Sequence, residues 1–428
     1  MTKIKTFGDI DQRALEQLTR CAAQATKAVL CADHHVGYSQ PIGGAIAYPE
    51  HISISGVGYD IACGNKAVKT NIKATDIPVA KIMDEIFSEI SFGMGRNNKD
   101  KDISHPILDK IKEANYKPQR QLYDKAAAQL GTVGSGNHYV DLFSDEEGWL
   151  WVGVHFGSRG FGHTTANGFL ALAQGLRFES KPKQEDMDGE PVLLSTDSDL
   201  GQAYIEAMTL AGEYAYAGRN WVVDKVLSIL QTEAVEDIHN HHNFAWLEEH
   251  DGENLWVVRK GCTPAFPGQK GFVGGSMGDI SVILEGVDSD EAVDSLYSTV
   301  HGAGRVMSRS QAAGKVRSRK RFKNNLRDDN NVYQTEKEAL AVEGATHAKK
   351  FWVTEKVKDG LIDWDSVQQQ IAAQGIELRG GAADEAPAAY KRLPEVLDAH
   401  KESIKVLHTL TPIGVAMAGN ETYDPYKD

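Results

Sequence analysis

Glycine-rich segments recur along nearly all of this 428-residue chain: PIGG, GVGYDIACG, LGTVGSGNH, VHFGSRGFGH, GGSMG and HGAGRVMSR. Glycine reaches φ values closed to other residues and lets the backbone approach a neighbour or ligand closely. Segments of helical periodicity and β-branched runs alternate between these loops. No compositional break, internal repeat or long low-complexity linker separates one set from the next. The sequence therefore predicts one intertwined domain of mixed α/β (α+β) class spanning residues 1–428. A basic and polar stretch, residues 315–356, reads as an insertion within it.

The coarse elements follow from the patterns. Asp11 to Arg20 has apolar residues at helical spacing, and the chain to about residue 30 reads as helix. Asp33 to Thr70 reads as short strands and tight loops, and 76–129 as mostly helix. Residues 130–163 return to strand and glycine-rich loop, 200–250 to helix, and 255–310 to strand and loop. Pro387 to His408 reads as helix, followed by a short strand from Thr411 to Met417.

Composition narrows the function classes. A hydrophobic fraction of 41% and a charged fraction of 25% are those of a globular protein in water. No apolar run is long enough to cross a bilayer, and the first residues lack the apolar core of a signal peptide, so the expected compartment is the cytoplasm. Cys21, Cys31, Cys63 and Cys262 are too few for a disulfide framework; Cys21, Cys31 and Cys262 read as buried filler. A net charge of -14 argues against a polyanionic partner taken alone. The stretch Lys315 to Arg327 is strongly basic, however, and reads either as a solvated helix or loop or as a local polyanion contact.

Several residues carry metal or phosphate chemistry. Asp60 and Cys63 lie three apart in GVGYDIACG. His138 ends GTVGSGNH, His155 ends the apolar run WVGVH, His242 belongs to the cluster HNHHN, and His301 opens HGAGR. A carboxylate, a thiolate and several imidazoles suit manganese or zinc better than magnesium or calcium. Arg159, Lys260, Arg305 and Arg309, each beside glycine or serine, suit phosphate or pyrophosphate. The GxxxxGK[ST] pattern is absent, which excludes a standard P-loop.

The ordered motifs GVGYDIACG, LGTVGSGNH, VHFGSRGFGH, HHN, RKG, GGSMG and HGAGRVMSR resemble the RtcB-type RNA ligase family, from about Asp33 to Gly419. The resemblance implies a fold in which glycine-rich loops form a metal and nucleotide cleft among central β-sheets and surrounding helices. It implies two manganese ions sharing Cys63, with Asp60, His138, His155 and His242 as further ligands not yet divided between the ions. It implies that His301 attacks the α-phosphate of GTP. Arg159, Lys260, Arg305 and Arg309 become the phosphate or RNA contacts, and Asn137, Asp141, Ser281, Ala303 and Tyr390 the guanylate contacts. The implied substrates are RNA ends bearing a 3'-phosphate or 2',3'-cyclic phosphate and a 5'-hydroxyl, in RNA repair or tRNA splicing. His239 and His241 are not expected to be ligands. Asp33 and His35 read as residues supporting the site or as structural.

The chain departs from the family pattern at three places. Asp141 stands where a glutamate is usual. Gly274 replaces a proline and loosens its loop. Ala418 replaces the lysine of a terminal Lys-Gly, and the chain runs on to Asp428, with Lys427 in that tail. The altered C-terminus motivates one alternative, a nucleotidyl transferase that caps 3'-phosphate ends of RNA or DNA without joining them, and the basic segment near Arg319 another, a non-catalytic nucleic-acid-binding module. A metal hydrolase is a third.

Overall fold

The computed structural model describes residues 2–183, 187–326 and 332–419. Two sheets organise them. The first has five strands in the order Lys3–Thr6, Lys27–His35, Ile42–Tyr48, Glu253–Lys260, Asn243–His250. Its inner strands are buried on both faces. Ala28, Leu30 and Ile46 pack with Leu18 of the helix Gln12–Cys21, while Val29, Ala45 and Val257 pack with Val282 and Leu284 of the second sheet. This is why KAVLCADHH is almost continuously apolar in its first half.

The second sheet runs Lys270–Val273, Ser281–Gly286, Ile404–Met417, Tyr139–Ser144, Trp149–Phe156, Gly64–Lys73, Ala234–His241, with Glu377–Arg379 paired beside Ile404–Met417. The helices Val79–Glu89 and Asp199–Leu230 cover part of one face through Met83, Ile86, Val222 and Val226. The second of these has 32 residues, capped at its start by the Ser198 side chain on the Gly201 amide. At about 1.5 Å per residue it runs roughly 48 Å. The mixed class expected from the sequence is the one observed.

Three readings of local structure are corrected. The helix expected over 200–250 stops at Leu230, and Ala234–His241 and Asn243–His250 are strands. In WLEEH the charges suggest a solvated helix, but Glu248 points inward to Arg259, at 2.6 Å, while Leu247 is exposed. Helix over 387–408 shrinks to Leu393–Asp398, and the final strand already starts at Ile404, where it pairs with Gly286. The first 30 residues hold the helix Gln12–Cys21 between two strands, rather than helix throughout.

The basic segment is neither helix nor loop. Gly314–Asn324 and Ala348–Asp359 form an antiparallel ladder that is a two-stranded sheet of its own. Residues 327–331 of the expected insertion lie outside the described residues, as do the tail from 420 and Lys427 within it. Among the described residues, no helix is long and apolar enough to cross a membrane.

Candidate active site and metal centre

Sheet topology explains why distant residues meet. The strand Gly64–Lys73 lies between Trp149–Phe156 and Ala234–His241, and Gly64 pairs with Phe156 on one side and His241 on the other. Tyr139 is in turn opposite His155. Cys63, His138, His155 and His242 thus sit at the same end of four adjacent strands. The backbone locks this end further: the His242 amide donates to the Cys63 carbonyl at 2.8 Å, and the Ala62 amide to the Asn243 carbonyl at 2.7 Å.

Asp60 to Cys63 is a tight turn in which the Cys63 amide donates to the Asp60 carbonyl at 3.0 Å. Ala62 has φ 60°, at the turn position where glycine is usual, so the loop holds a backbone strain of the kind found at functional sites. Gly157 has no side chain for a reason: a Cβ there would fall 2.3 Å from an Asp60 carboxylate oxygen.

The ligand atoms form two triads. Cys63, His155 and His242 make one; Asp60, Cys63 and His138 make the other; within each triad the donor atoms lie within 4.8 Å of one another. Cys63 is common to both. Its Sγ is 3.2 Å from His155 Nε2 and 3.6 Å from His138 Nε2, and His138 Nε2 is 3.1 Å from Asp60 Oδ2. The His138 Nδ1 lies 2.9 Å from the Val133 carbonyl, so Nε2 is the ring nitrogen turned to Asp60 and Cys63, where a ligand ion would sit. His242 Nδ1 is buried with no hydrogen-bond partner, an orphan atom that a bound ion would explain.

The electrostatics suit a divalent cation. Burial holds His155 and His242 well below the usual imidazole range, with neighbouring histidines adding to the effect, so their lone pairs are available. Burial raises the Asp60 carboxyl, but the His138 hydrogen bond and charge, with Arg159, outweigh it and keep Asp60 ionised. Burial, then the Asp60 charge, pushes the Cys63 thiol well up, so a cation that binds there must displace a proton. Three protein donors per triad leave coordination positions open. The donor set therefore fits a pair of borderline divalent ions.

His301 follows the short strand Ser298–Val300. Its ring centroid is 4.9 Å from that of His242. The fully buried Asp33 fixes its orientation. One Asp33 oxygen accepts from the His301 backbone amide at 2.9 Å and lies 2.6 Å from His301 Nδ1. With the proton on Nδ1, the Nε2 lone pair is free to act. Gly261 packs against the other side, where a Cβ would come within 3.1 Å of the imidazole.

All of these groups except Asp33 line one cavity of about 760 Å³, with Asn137, Asp141, Lys260, Ala303, Arg305, Arg309 and Tyr390. His35 also lines it. Burial pushes the Asp141 carboxyl well above its usual range. Two expected contacts stand elsewhere. Ser281 is buried with its hydroxyl accepting from the Gly275 amide at 3.0 Å, so it shapes the GGSMG loop. Arg159 sits behind His138, with Nη1 3.0 Å from Nδ1, outside the cavity lining.

Arg305 and Arg309 are already engaged. Arg305 donates to the Tyr390 hydroxyl at 3.0 Å and the Asp384 carbonyl at 2.7 Å; Arg309 pairs with the Asp384 carboxylate at 2.8 Å and also with Glu385. Tyr390 donates to Glu385 as well. Asp384 and Glu385 were not singled out from the sequence, although they lie close to Tyr390 in DEAPAAYK. Arg219 was missed too. It is fully buried, and donates to the Ala62 and Phe156 carbonyls, at 3.0 and 2.5 Å, and to His239 Nε2 at 2.7 Å, with His241 Nδ1 at 2.9 Å from its Nη2. His239 and His241 are thus neutral acceptors behind the site, consistent with their exclusion as ligands. The intact Ala418 backbone is buried next to Met417, a cavity-lining residue.

Comparison with known proteins gives one consistent answer. Residues 15–362 match the family described as tRNA-splicing ligase RtcB. The chain is 30% identical over 414 aligned positions to the RNA-splicing ligase RtcB of Escherichia coli (strain K12), covering 89% of this chain and 87% of that one. It is 29% identical to the tRNA-splicing ligase RtcB of Archaeoglobus fulgidus, over 95% of this chain and 91% of that one. For the namesake in Thermococcus kodakarensis the identity is 29%, over 91% and 87%.

Proposed function

Since the chain belongs to the RtcB family, we propose that it is a GTP- and manganese-dependent RNA ligase working through a histidine–GMP intermediate. It joins an RNA end bearing a 3'-phosphate or 2',3'-cyclic phosphate to one bearing a 5'-hydroxyl, as in RNA repair or tRNA splicing. Residues 1–428 act as a single ligase domain, with the stretch around 315–356 inserted in it. The observation that carries this reading is the arrangement of two donor triads sharing Cys63 next to an imidazole whose Nδ1 is held by Asp33.

The residues divide the work. Cys63, His155 and His242 would hold one manganese ion, and Asp60, Cys63 and His138 the other. Bound there, the pair would neutralise phosphate charge and favour in-line displacement. His301 Nε2 attacks the α-phosphorus of GTP; an N–P bond forms, the bond to the β-phosphate oxygen breaks, and pyrophosphate leaves. An RNA 3'-phosphate oxygen then displaces His301 from that phosphorus. The 5'-hydroxyl attacks the activated 3'-phosphorus, and GMP departs. A cyclic end is first opened to the 3'-phosphate by water.

Asp33 keeps the proton on Nδ1 throughout the first step. Lys260 lines the cavity with its Nζ donating to the Tyr38 and Ser55 carbonyls, at 2.7 and 3.1 Å, and its charge favours a phosphate there. Arg305 and Arg309, bound to Asp384 and Glu385, shape the wall in which Tyr390 and Ala303 meet the guanylate. Asp141, whose carboxyl burial pushes well above its usual range, is suited to one hydrogen bond to the base, together with Asn137.

The test is incubation with manganese and α-labelled GTP or ATP, then denaturing electrophoresis. Label from GTP that disappears in His301→Ala is the expected result. Label from ATP instead would mean that Ala418, in place of lysine, has changed nucleotide choice. No label from either, with metal bound, would overturn the intermediate. A capped 3'-end that is never joined would favour the transferase reading, which the Asp141 and Ala418 departures motivate.

A further inference from the structure

The two-stranded ladder Gly314–Asn324/Ala348–Asp359 plays no part in the chemistry above. Its strands carry ten lysines and arginines against two acidic residues, in a chain whose net charge is -14. The anionic remainder of the protein repels a polyanion, so this ladder is where positive potential concentrates.

Its construction is costly for a purely structural element. Lys323 lies directly opposite Lys349 in the register, and like charges so placed destabilise a ladder. Phe322 and Asn324 face the short helix Glu336–Leu340: Phe322 is buried, and Asn324 donates to the Ala339 carbonyl at 2.9 Å. By strand alternation Arg319, Arg321 and Lys323 fall on the opposite face. Trp352, directly across from Lys320 and so on the face of Lys320 and Phe322, is 61% exposed, with the Lys350 ammonium 5.4 Å from its ring. Cations alternating with an exposed aromatic make a surface that grips phosphates and stacks a base.

The ladder is rooted at the cavity. The Leu361 and Ile362 amides donate to the Gln311 and Ala312 carbonyls, at 2.9 and 3.1 Å, tying its base to the helix Arg309–Ala313. Arg309 and Gln311 of that helix line the catalytic cavity. Eleven paired residues at about 3.3 Å each carry the arm roughly 35 Å from this rim.

We propose that this hairpin is an RNA-holding arm that binds the strand leading into the active site, through phosphate contacts from Lys320 and Lys350 and base stacking on Trp352, which share one face of the ladder. It deepens the ligase reading and rests on it for the identity of the polyanion. The glutamates of the helix Glu336–Leu340 disfavour RNA at the far end, so the strand lies on the part nearer the cavity.

The test is fluorescence anisotropy of a labelled single-stranded RNA with a 3'-phosphate, titrated with the full-length protein at 50 to 200 mM salt. Two phosphate contacts contribute a slope of about -1.4 in log K against log salt (about -0.7 each for single strands). The K320A/K350A variant should therefore bind roughly tenfold more weakly at low salt, with its slope reduced by about 1.4. W352A should bind roughly tenfold more weakly with the slope unchanged. Thermal melting checks that each variant is folded. Should the double variant not fold, a short glycine linker replacing the arm between Gly314 and Gly360, whose backbones touch, provides the same comparison. Unchanged affinity and slope in folded variants would overturn the arm. If arm-dependent binding is found in a protein that takes no label from GTP, the arm stands and the ligase reading falls. If labelling and joining proceed while arm variants bind RNA as the parent does, the reverse holds.

Discussion

Replacing Asp33 by asparagine isolates the role of one carboxylate in nucleophile activation. The side chain is fully buried and keeps nearly the same shape, so packing is conserved. One oxygen currently serves the His301 amide at 2.9 Å, His301 Nδ1 at 2.6 Å and the Gly302 amide at 3.4 Å. Loss of a charge-assisted hydrogen bond costs about 1.5–3 kcal/mol, or roughly 10- to 150-fold in rate. The tautomer is kept, because the His301 and Gly302 amides donate to the same oxygen and hold the carboxamide oxygen, not its NH₂, towards Nδ1. We expect Asp33→Asn to slow single-turnover labelling by GTP about 10- to 150-fold, with metal content and melting temperature preserved. The assay is rapid-quench labelling under saturating GTP across pH 6 to 9. A merely structural role would leave the labelling rate within about threefold of the parent once folding is matched, and that outcome would refute the argument.

Other expectations follow from the same geometry. Cys63→Ala should lose both ions, whereas His138→Ala and His242→Ala should each lose one, as read by elemental analysis; equal losses in all three would contradict a shared thiolate. Titration of the metal-free protein with manganese should release protons, because the Cys63 thiol is held up by burial and by Asp60; calorimetry in buffers of different ionisation enthalpy reads this directly. Glu385→Gln should destabilise the fold by about 3–5 kcal/mol in urea unfolding, since it strips a buried partner from Arg309 and Arg305. The fold should also weaken in mild acid. Burial pushes His400 down to about 4, so the unfolded chain takes up its proton first as pH falls below about 6.5, and stability is lost from there towards 4. His400 alone accounts for about 2 kcal/mol between pH 7 and 4.5, testable by urea unfolding of the parent and His400→Gln.

The sequence exposed the site more fully than the fold. Cys63, His138, His155 and His301 each stand in a glycine-rich segment and His242 in HNHHN, in an order that is itself informative, and all five line one cavity. What it withheld was the division of ligands into triads, because that depends on which strand ends are adjacent. Gly64 pairing with both Phe156 and His241 is a long-range fact with no local signature. Arg219 was hidden for a similar reason: within a helix its charge looks solvated, and only the packing of Asp199–Leu230 beneath Ala62 and Phe156 buries it. Asp384 and Glu385 read as surface acids until their arginine partners are placed beside them. The strands at 234–250 were misread because their charges outweigh their alternation.

The long reach of the proposed metal ligands along the chain has a consequence for synthesis. Asp60, Cys63, His138 and His155 all leave the ribosome before His242, and the proposed nucleophile His301 later still. Until His242 and its strand partner arrive, the triad with Cys63 and His155 is incomplete and the thiol is open to oxidation or to a softer, tighter-binding metal. At about 5–20 residues per second that interval lasts roughly ten seconds or more. With metal bound as proposed, correct metallation would be a late event, and the metal carried would record the cellular supply at the moment the second sheet closes.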